Sequence, residues 1–156
     1  MSTPGPPGLE PTAGVFVGRE HRLPVRVYYE DTDFTGVVYH ANYARYFERG
    51  RSDFLRLAGV GHAELLAEAA PTAFAVTRLV IDFRRAARID DALEVRTAYD
   101  SVRGPRIRIL QRILRAEALI AEAEVEAVCI GLDGRVRRPP AKLVEALEPW
   151  FSKGAP

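Results

Sequence analysis

Between Tyr43 and Ala58 the apolar positions recur every three or four residues: Tyr43, Tyr46, Phe47, Gly50, Phe54 and Ala58 form one stripe, and Arg45, Glu48, Arg49, Arg51, Asp53 and Arg56 fill the rest. Such a period makes an amphipathic helix of about four to five turns, on the order of 25 Å long, whose apolar stripe must be buried against something. Gly50 lies inside that stripe, where glycine costs about 1 kcal/mol relative to alanine. Its place there predicts close approach of another backbone, as when a helix lies tight on a sheet. Gly59 and Gly61 follow as stop signals, and Asn42 or His40 stands where an N-terminal cap belongs.

The rest of the chain offers the sheet. Val25, Val27 and Tyr29 alternate with Arg26, Tyr28 and Glu30, which predicts a strand over 25–30. Over 74–83 the apolar phase slips once, from 74 and 76 to 79, 81 and 83, as at a bulge. Leu93 to Tyr99, Arg106 to Leu114 and Leu119 to Cys129 alternate cleanly and read as half-exposed strands. The Arg103-Gly104-Pro105 and Asp133-Gly134 turns keep connections short, so the sheet is antiparallel, with about five strands. Lys142 to Trp150 reads as a short terminal helix, and one long helix on such a sheet is an α+β domain.

The 156 residues suit one domain with its own core. Residues 1–24 hold five of the eleven prolines and four of the twelve glycines, which predicts a flexible N-terminal extension before a domain at 25–152. With 22 basic against 21 acidic side chains, the net charge of +1 gives nucleic acid or an anionic membrane no general attraction. No run of apolar residues approaches a membrane span. A single cysteine, Cys129, and the lack of an export signal at the N-terminus predict a cytoplasmic protein.

Chemistry concentrates in Tyr28 to Arg51, YYEDTDFTGVVYHANYARYFERGR, between the first strand and the helix. Free backbone N–H groups and the positive end of the macrodipole at a helix start can hold a developing oxyanion, and a carboxylate opposite supplies nucleophile or base. Asp31, Asp33, Thr35 and Gly36 also fit the early positions of an EF-hand loop. The twelfth position, however, is Asn42 rather than glutamate, and a strand precedes the loop, so no metal is expected. An isolated aspartate at position 31 or 33 would be read as a turn former. There is no G-x-S-x-G elbow, and Ser52, Ser101 and Ser152 have no neighbouring histidine in the sequence. His21 and His62 receive no role.

The same stretch resembles the hotdog-fold acyl-CoA thioesterases, nearest the branch of the Tol-Pal-associated and 4-hydroxybenzoyl-CoA thioesterases. The resemblance rests on Asp31, Asp33, Gly36, Val37, Val38, Tyr39, Asn42, Tyr43, Phe47 and Glu48, and its strong part covers about a fifth of the chain. It implies a long helix wrapped by a curved antiparallel sheet, dimers joined edge to edge with active sites between subunits, and often homotetramers made of paired dimers. It further implies hydrolysis of an acyl-CoA to free acid and coenzyme A without metal or cofactor. In that reading Asp33 is nucleophile or general base, and Tyr29 and His40 accompany it. The His40 N–H polarises the carbonyl, Gly36 permits the turn, and Val38 and Tyr39 lie at the substrate.

Arginine outnumbers lysine 20 to 2, and five arginines fall between Arg103 and Arg115 without an acid. Guanidinium forks suit phosphate oxygens, so Arg103, Arg106 or Arg108 are candidates for the coenzyme A phosphates; the bland reading is a solvated strand face. Two alternatives use the same architecture: a thioesterase acting on acyl carrier protein, and a non-catalytic acyl-binding protein.

Overall fold

The computed structural model describes residues 6–151; residues 1–5 and 152–156, with the ends of the predicted extension and domain, lie outside them. The periodic stripe forms α1 (Asn42–Leu57), and Tyr46, Phe47 and Phe54 on it are fully buried. They pack on the inward residues of the sheet, Val95, Ile109, Ile113 and Val125 among them. Each such side chain contributes roughly 1.5–3 kcal/mol over its exposed state. Gly59 takes φ +86° just past the helix, as a stop glycine should.

The sheet is antiparallel throughout, in the order β1-β2-β4-β5-β6-β3. Its strands are β1 (Val15–Val17), β2 (Glu20–Arg26), β3 (Ala73–Phe83), β4 (Ala92–Arg103), β5 (Arg106–Arg115) and β6 (Ala118–Ile130). A two-residue β7 (Val136–Arg137), brought back by the Asp133-Gly134 turn, extends β6 where β5 has ended. Two short helices, α2 (His62–Leu66) and α3 (Ala141–Leu147), complete the chain. The arrangement is the hotdog fold that the loop motif implied. The register slip predicted near residue 77 is a bulge between Val76 and Arg78.

Gly50 meets the sheet as its position demanded. A Cβ there would lie 2.7 Å from Thr97 Oγ1 and 2.8 Å from Val95 Cγ1. Gly50→Ala is therefore expected to destabilise the fold by about 1–3 kcal/mol, overpacking outweighing the gain of about 1 kcal/mol in helix propensity. A lower urea midpoint at unchanged slope measures it; a higher midpoint would show that the sheet recedes at no cost.

Three expectations need correction. Much of 1–24 is not an extension: β1 and most of β2 come from it, and His21 and Leu23 face the core. Composition misled because Pro4, Pro6, Pro7 and Pro11 precede the sheet, while Pro24 sits on a stretch of β2 that β1 does not reach. A missing N–H is tolerated on that open side. The strand predicted over 25–30 consequently ends at Arg26. Val27 is still buried and bridges to Asp90 and Asp91, after which the chain turns away. Neither Asn42 nor His40 caps α1: Ala41 is the cap residue, and no side chain accepts from the first turn.

Candidate functional site

The loop that leaves β2 is organised by Asp31. Its buried carboxylate accepts from the Tyr28 N–H (2.8 Å) and from Asn42 Nδ2 (2.9 Å), fixing the 3₁₀ turn Tyr29–Asp31 to the first residue of α1. Asn42 thus spends its side chain on the loop, which explains why it cannot cap the helix. Tyr46 lies beside this pair, and burial together with the Asp31 carboxylate raises its pKa.

Residues 33–36 form a tight turn in which the Gly36 N–H donates to Asp33 O (3.1 Å), with Gly36 at φ +85°. The left-handed conformation there is one that glycine adopts without steric cost. Asp33 Oδ1 accepts from the Thr35 N–H (2.8 Å) and from Thr35 Oγ1 (2.5 Å). These two bonds hold the Asp33 carboxyl below its ordinary pKa, burial opposing them weakly and His40 adding a smaller favourable effect. Asp33 is therefore both a turn former and a carboxylate held ionised at the loop surface, the Val37 N–H adding a weaker favourable contact.

Beyond Val37, Val38 and Tyr39, the N–H groups of His40 and Ala41 find no acceptor among the described residues. The helix start thus presents free donors at its positive end. The His40 ring is exposed and lies against Tyr39, centroids 4.6 Å apart. Phe34 is fully exposed beside Asp33, so within one chain this site is open to solvent on its outer side.

The remaining candidates divide. Gly36, Tyr39 and His40 lie with Asp33 on the loop and helix start. Tyr29 is there too, on the 3₁₀ turn rather than a strand, with its ring 84% exposed. Val38 is buried in the core, its N–H donating to Ala87 O, so its side chain is not free to meet a substrate. Arg103 and Arg106 face each other across the β4–β5 turn. Asp33 sits by the other end of β4, where Val37 bridges to Arg88, roughly 35 Å away along a 12-residue strand. They do not share one chain's site. Part of the arginine bias is pairing with acids of a neighbouring strand: Arg106 with Glu126 (3.4 Å), Arg108 with Glu124 (3.0 Å) and, just past β3, Arg84 with Glu122 (2.6 Å).

One cluster was missed. Ser52 Oγ lies 2.5 Å from Glu48 Oε1 and 2.9 Å from His62 Nε2, on the wall of a cavity of about 180 Å³. The opposite wall is apolar, with Phe74, Val76, Ile107 and Ile109. The signal available was the i, i+4 spacing of Glu48 and Ser52. Placement of His62 depends on the direction the chain takes after the Gly59 stop, which a stop signal does not specify. Ser52 is not a serine-hydrolase nucleophile: an ionised carboxylate only accepts, so the hydroxyl donates to Glu48 and not to the imidazole. It also sits in mid-helix, where backbone N–H groups are already bonded and cannot form an oxyanion hole.

Among the described residues no three His, Cys, Asp or Glu side chains gather as metal ligands, and no helix is long and apolar enough to cross a membrane. Residues 27–151 match the family model of the thioesterase-like superfamily. The acyl-CoA thioester hydrolase YbgC of Escherichia coli O6:H1 is 46% identical over 110 residues, covering 70% of this chain and 81% of that protein. The acyl-CoA thioesterase YbgC of Haemophilus influenzae is 45% identical over 110 residues, covering 70% and 80%. A solved structure of a probable thioesterase from Bartonella henselae superposes with a TM-score of 0.76 at 41% identity, covering 78% of this chain and 99% of that one. The chain belongs to the thioesterase-like superfamily.

Proposed function

We propose that the protein hydrolyses acyl-CoA thioesters to free acid and coenzyme A, with Asp33 as general base or nucleophile. The observation that carries this reading is the ionised Asp33 carboxylate next to an uncapped helix start. As base, Asp33 takes a proton from water whose oxygen attacks the thioester carbon. The oxyanion is held by backbone N–H groups including that of His40. When the C–S bond breaks, coenzyme A leaves as thiolate and recovers the proton from Asp33. As nucleophile, Asp33 instead forms an anhydride that water then opens. Tyr29, Tyr39 and His40 border the bound thioester. The names of the relatives support the substrate class.

The working form in this reading is a homo-oligomer. β3 is an edge strand of 11 residues with Val76, Leu79 and Phe83 exposed, and a second copy pairing antiparallel along it satisfies the open edge. Such pairing also brings Arg103 and Arg106 to the end of the sheet that carries the partner's loop, where coenzyme A phosphates are in reach. Light scattering at two or four chain masses separates a dimer from a homotetramer. The free thiol of Cys129, buried on β6, fits a cytoplasmic location.

The test is release of free thiol from short, long and aromatic acyl-CoAs, and from acyl carrier protein thioesters. Cys129 is buried and its thiol is pushed up to about 11, so it reacts little with the thiol reagent. Turnover supports the reading; ligand binding with no thioester cleaved, carrier-linked ones included, overturns it in favour of an acyl-binding protein. Thr35→Val adds a pH signature. Losing the strongest bond to Asp33 raises its carboxyl pKa toward the ordinary range, so the acid limb of kcat/KM moves to higher pH. An unmoved limb would remove Asp33 ionisation as its source.

A further inference from the structure

The Glu48, Ser52 and His62 cluster is unused by the chemistry above, and the cavity it lines lies between α1, β3 and the inner sheet face, with Glu48 and His62 exposed at its mouth. We propose that the Ser52 and His62 pair of one subunit reads the distal end of an acyl group whose thioester is held by Asp33 of the partner subunit. This rests on the hydrolase reading and on pairing through β3.

The geometry follows from where each feature sits along β3. The Asp33 loop and the start of α1 lie at its Phe83 end, since Tyr43 packs edge-on to Phe83 (5.5 Å) and Val38 bonds to Ala87. The cavity lies at the other end, with Phe74 packed on His62 (5.5 Å) and Val76 in its wall. An antiparallel two-fold pairing centred on Arg78, the middle of the strand, sets Phe83 of the partner subunit opposite Ala73. A two-fold perpendicular to the sheet also keeps both helices on the same face. Each Asp33 loop then faces the other subunit's cavity, while its own cavity is a strand length away.

The cavity's size and lining define what it takes. At about 180 Å³ it holds on the order of six water-sized atoms, each with a share of about 30 Å³. That fits a compact acyl group. The chain of hydrogen bonds has a fixed direction: Ser52 donates to Glu48, so His62 Nε2 donates to Ser52. Ser52 Oγ keeps an acceptor lone pair and Glu48 keeps further acceptor capacity, while Arg51, also in the lining, donates to Gln111 Oε1 (3.0 Å), and apolar walls stand opposite. The matching ligand has an apolar body and a hydrogen-bond donor, such as a hydroxyl, at its far end.

The probes are hexanoyl-CoA and 6-hydroxyhexanoyl-CoA, compared by kcat/KM. Wild type is expected to favour the hydroxylated ester by about tenfold, the value of one well-made hydrogen bond. Ser52→Ala and His62→Phe are each expected to bring the ratio near one. Hybrid dimers of an Asp33→Asn chain with a Ser52→Ala chain then locate the pair. If the cavity serves the partner, the hybrid has one intact site and shows the wild-type ratio at half the rate. A hybrid with the flat ratio of Ser52→Ala overturns the assignment across subunits. Equal rates in wild type, or a preference surviving both substitutions, overturn the cavity's role while leaving hydrolysis standing. If neither ester is cleaved, the hydrolase reading stands or falls on the full panel of acyl-CoA and carrier-linked thioesters. Calorimetric affinities for the two intact esters then decide the cavity, a tenfold preference lost in Ser52→Ala supporting it and equal affinities overturning it.

Discussion

Asp33→Asn is expected to lower kcat/KM for an acyl-CoA by about 10²- to 10⁴-fold, the range for losing a positioned base. The substitution is nearly isosteric, and the amide oxygen can still accept from the Thr35 N–H and hydroxyl, so the turn over residues 33–36 should persist. What it removes is the negative charge and the capacity to take a proton. Because Asp33 is on the surface, melting temperature and oligomeric mass are expected to match wild type, and both are the controls. An amide neither takes a proton from water nor forms an anhydride, so base and nucleophile roles fail together. Undiminished turnover by the folded variant would move the chemistry to another carboxylate. Glu48 is the next to substitute, since it is the one that lines the cavity beside Ser52 and His62.

The elements legible in the sequence were those written in local period. The α1 stripe, the Gly50 approach, the slip in β3 and the β4–β5 turn each depend on residues within a few positions of one another, and each appears in the structure. The N-terminal strands were hidden because composition averaged over 1–24 merged a proline-rich start with a pairing segment. The alternation of His21 and Leu23 was present in the letters. In the site, the Asp33 loop could be read because a short motif specifies it. Val38 could not, since a side chain's burial is decided by the β3–β4 connection that folds over it. The distance between Arg103 and Asp33 needed the whole length of β4, and the meeting of Ser52 with His62 needed the reversal after α1.

Asp53→Ala is expected to destabilise the fold by about 2–5 kcal/mol, the cost of leaving two buried donors without their acceptor. Asp53 lies on α1 with its carboxylate buried, and three groups converge on it. Oδ2 accepts from the Gly14 N–H (2.8 Å) and His21 Nε2 (2.7 Å), and Oδ1 from the Arg56 guanidinium. The residue therefore ties α1 to β2 and to the chain just before β1, where Phe16 stacks on Trp150 at 4.0 Å. Alanine leaves a backbone donor and an imidazole buried without an acceptor, a loss that is a large fraction of an ordinary domain's 5–15 kcal/mol. A fall in the urea midpoint at unchanged slope measures it, and a midpoint near wild type would show that Asp53 anchors nothing. The same contact predicts a pH dependence. Burial first, and then the Arg56 charge, lower the His21 pKa to about 4 from the model-peptide 6.5, so the folded state keeps the ring neutral, with Nε2–H donating to Asp53. The unfolded chain binds the proton earlier as pH falls. The contribution is constant above about pH 6.5 and drains away between there and pH 4, at up to about 1.4 kcal/mol per pH unit. His21→Gln retains a side-chain donor but cannot titrate. The difference in unfolding free energy between it and wild type should slope through that window and be flat above it, whereas parallel curves would place the acid sensitivity in other groups.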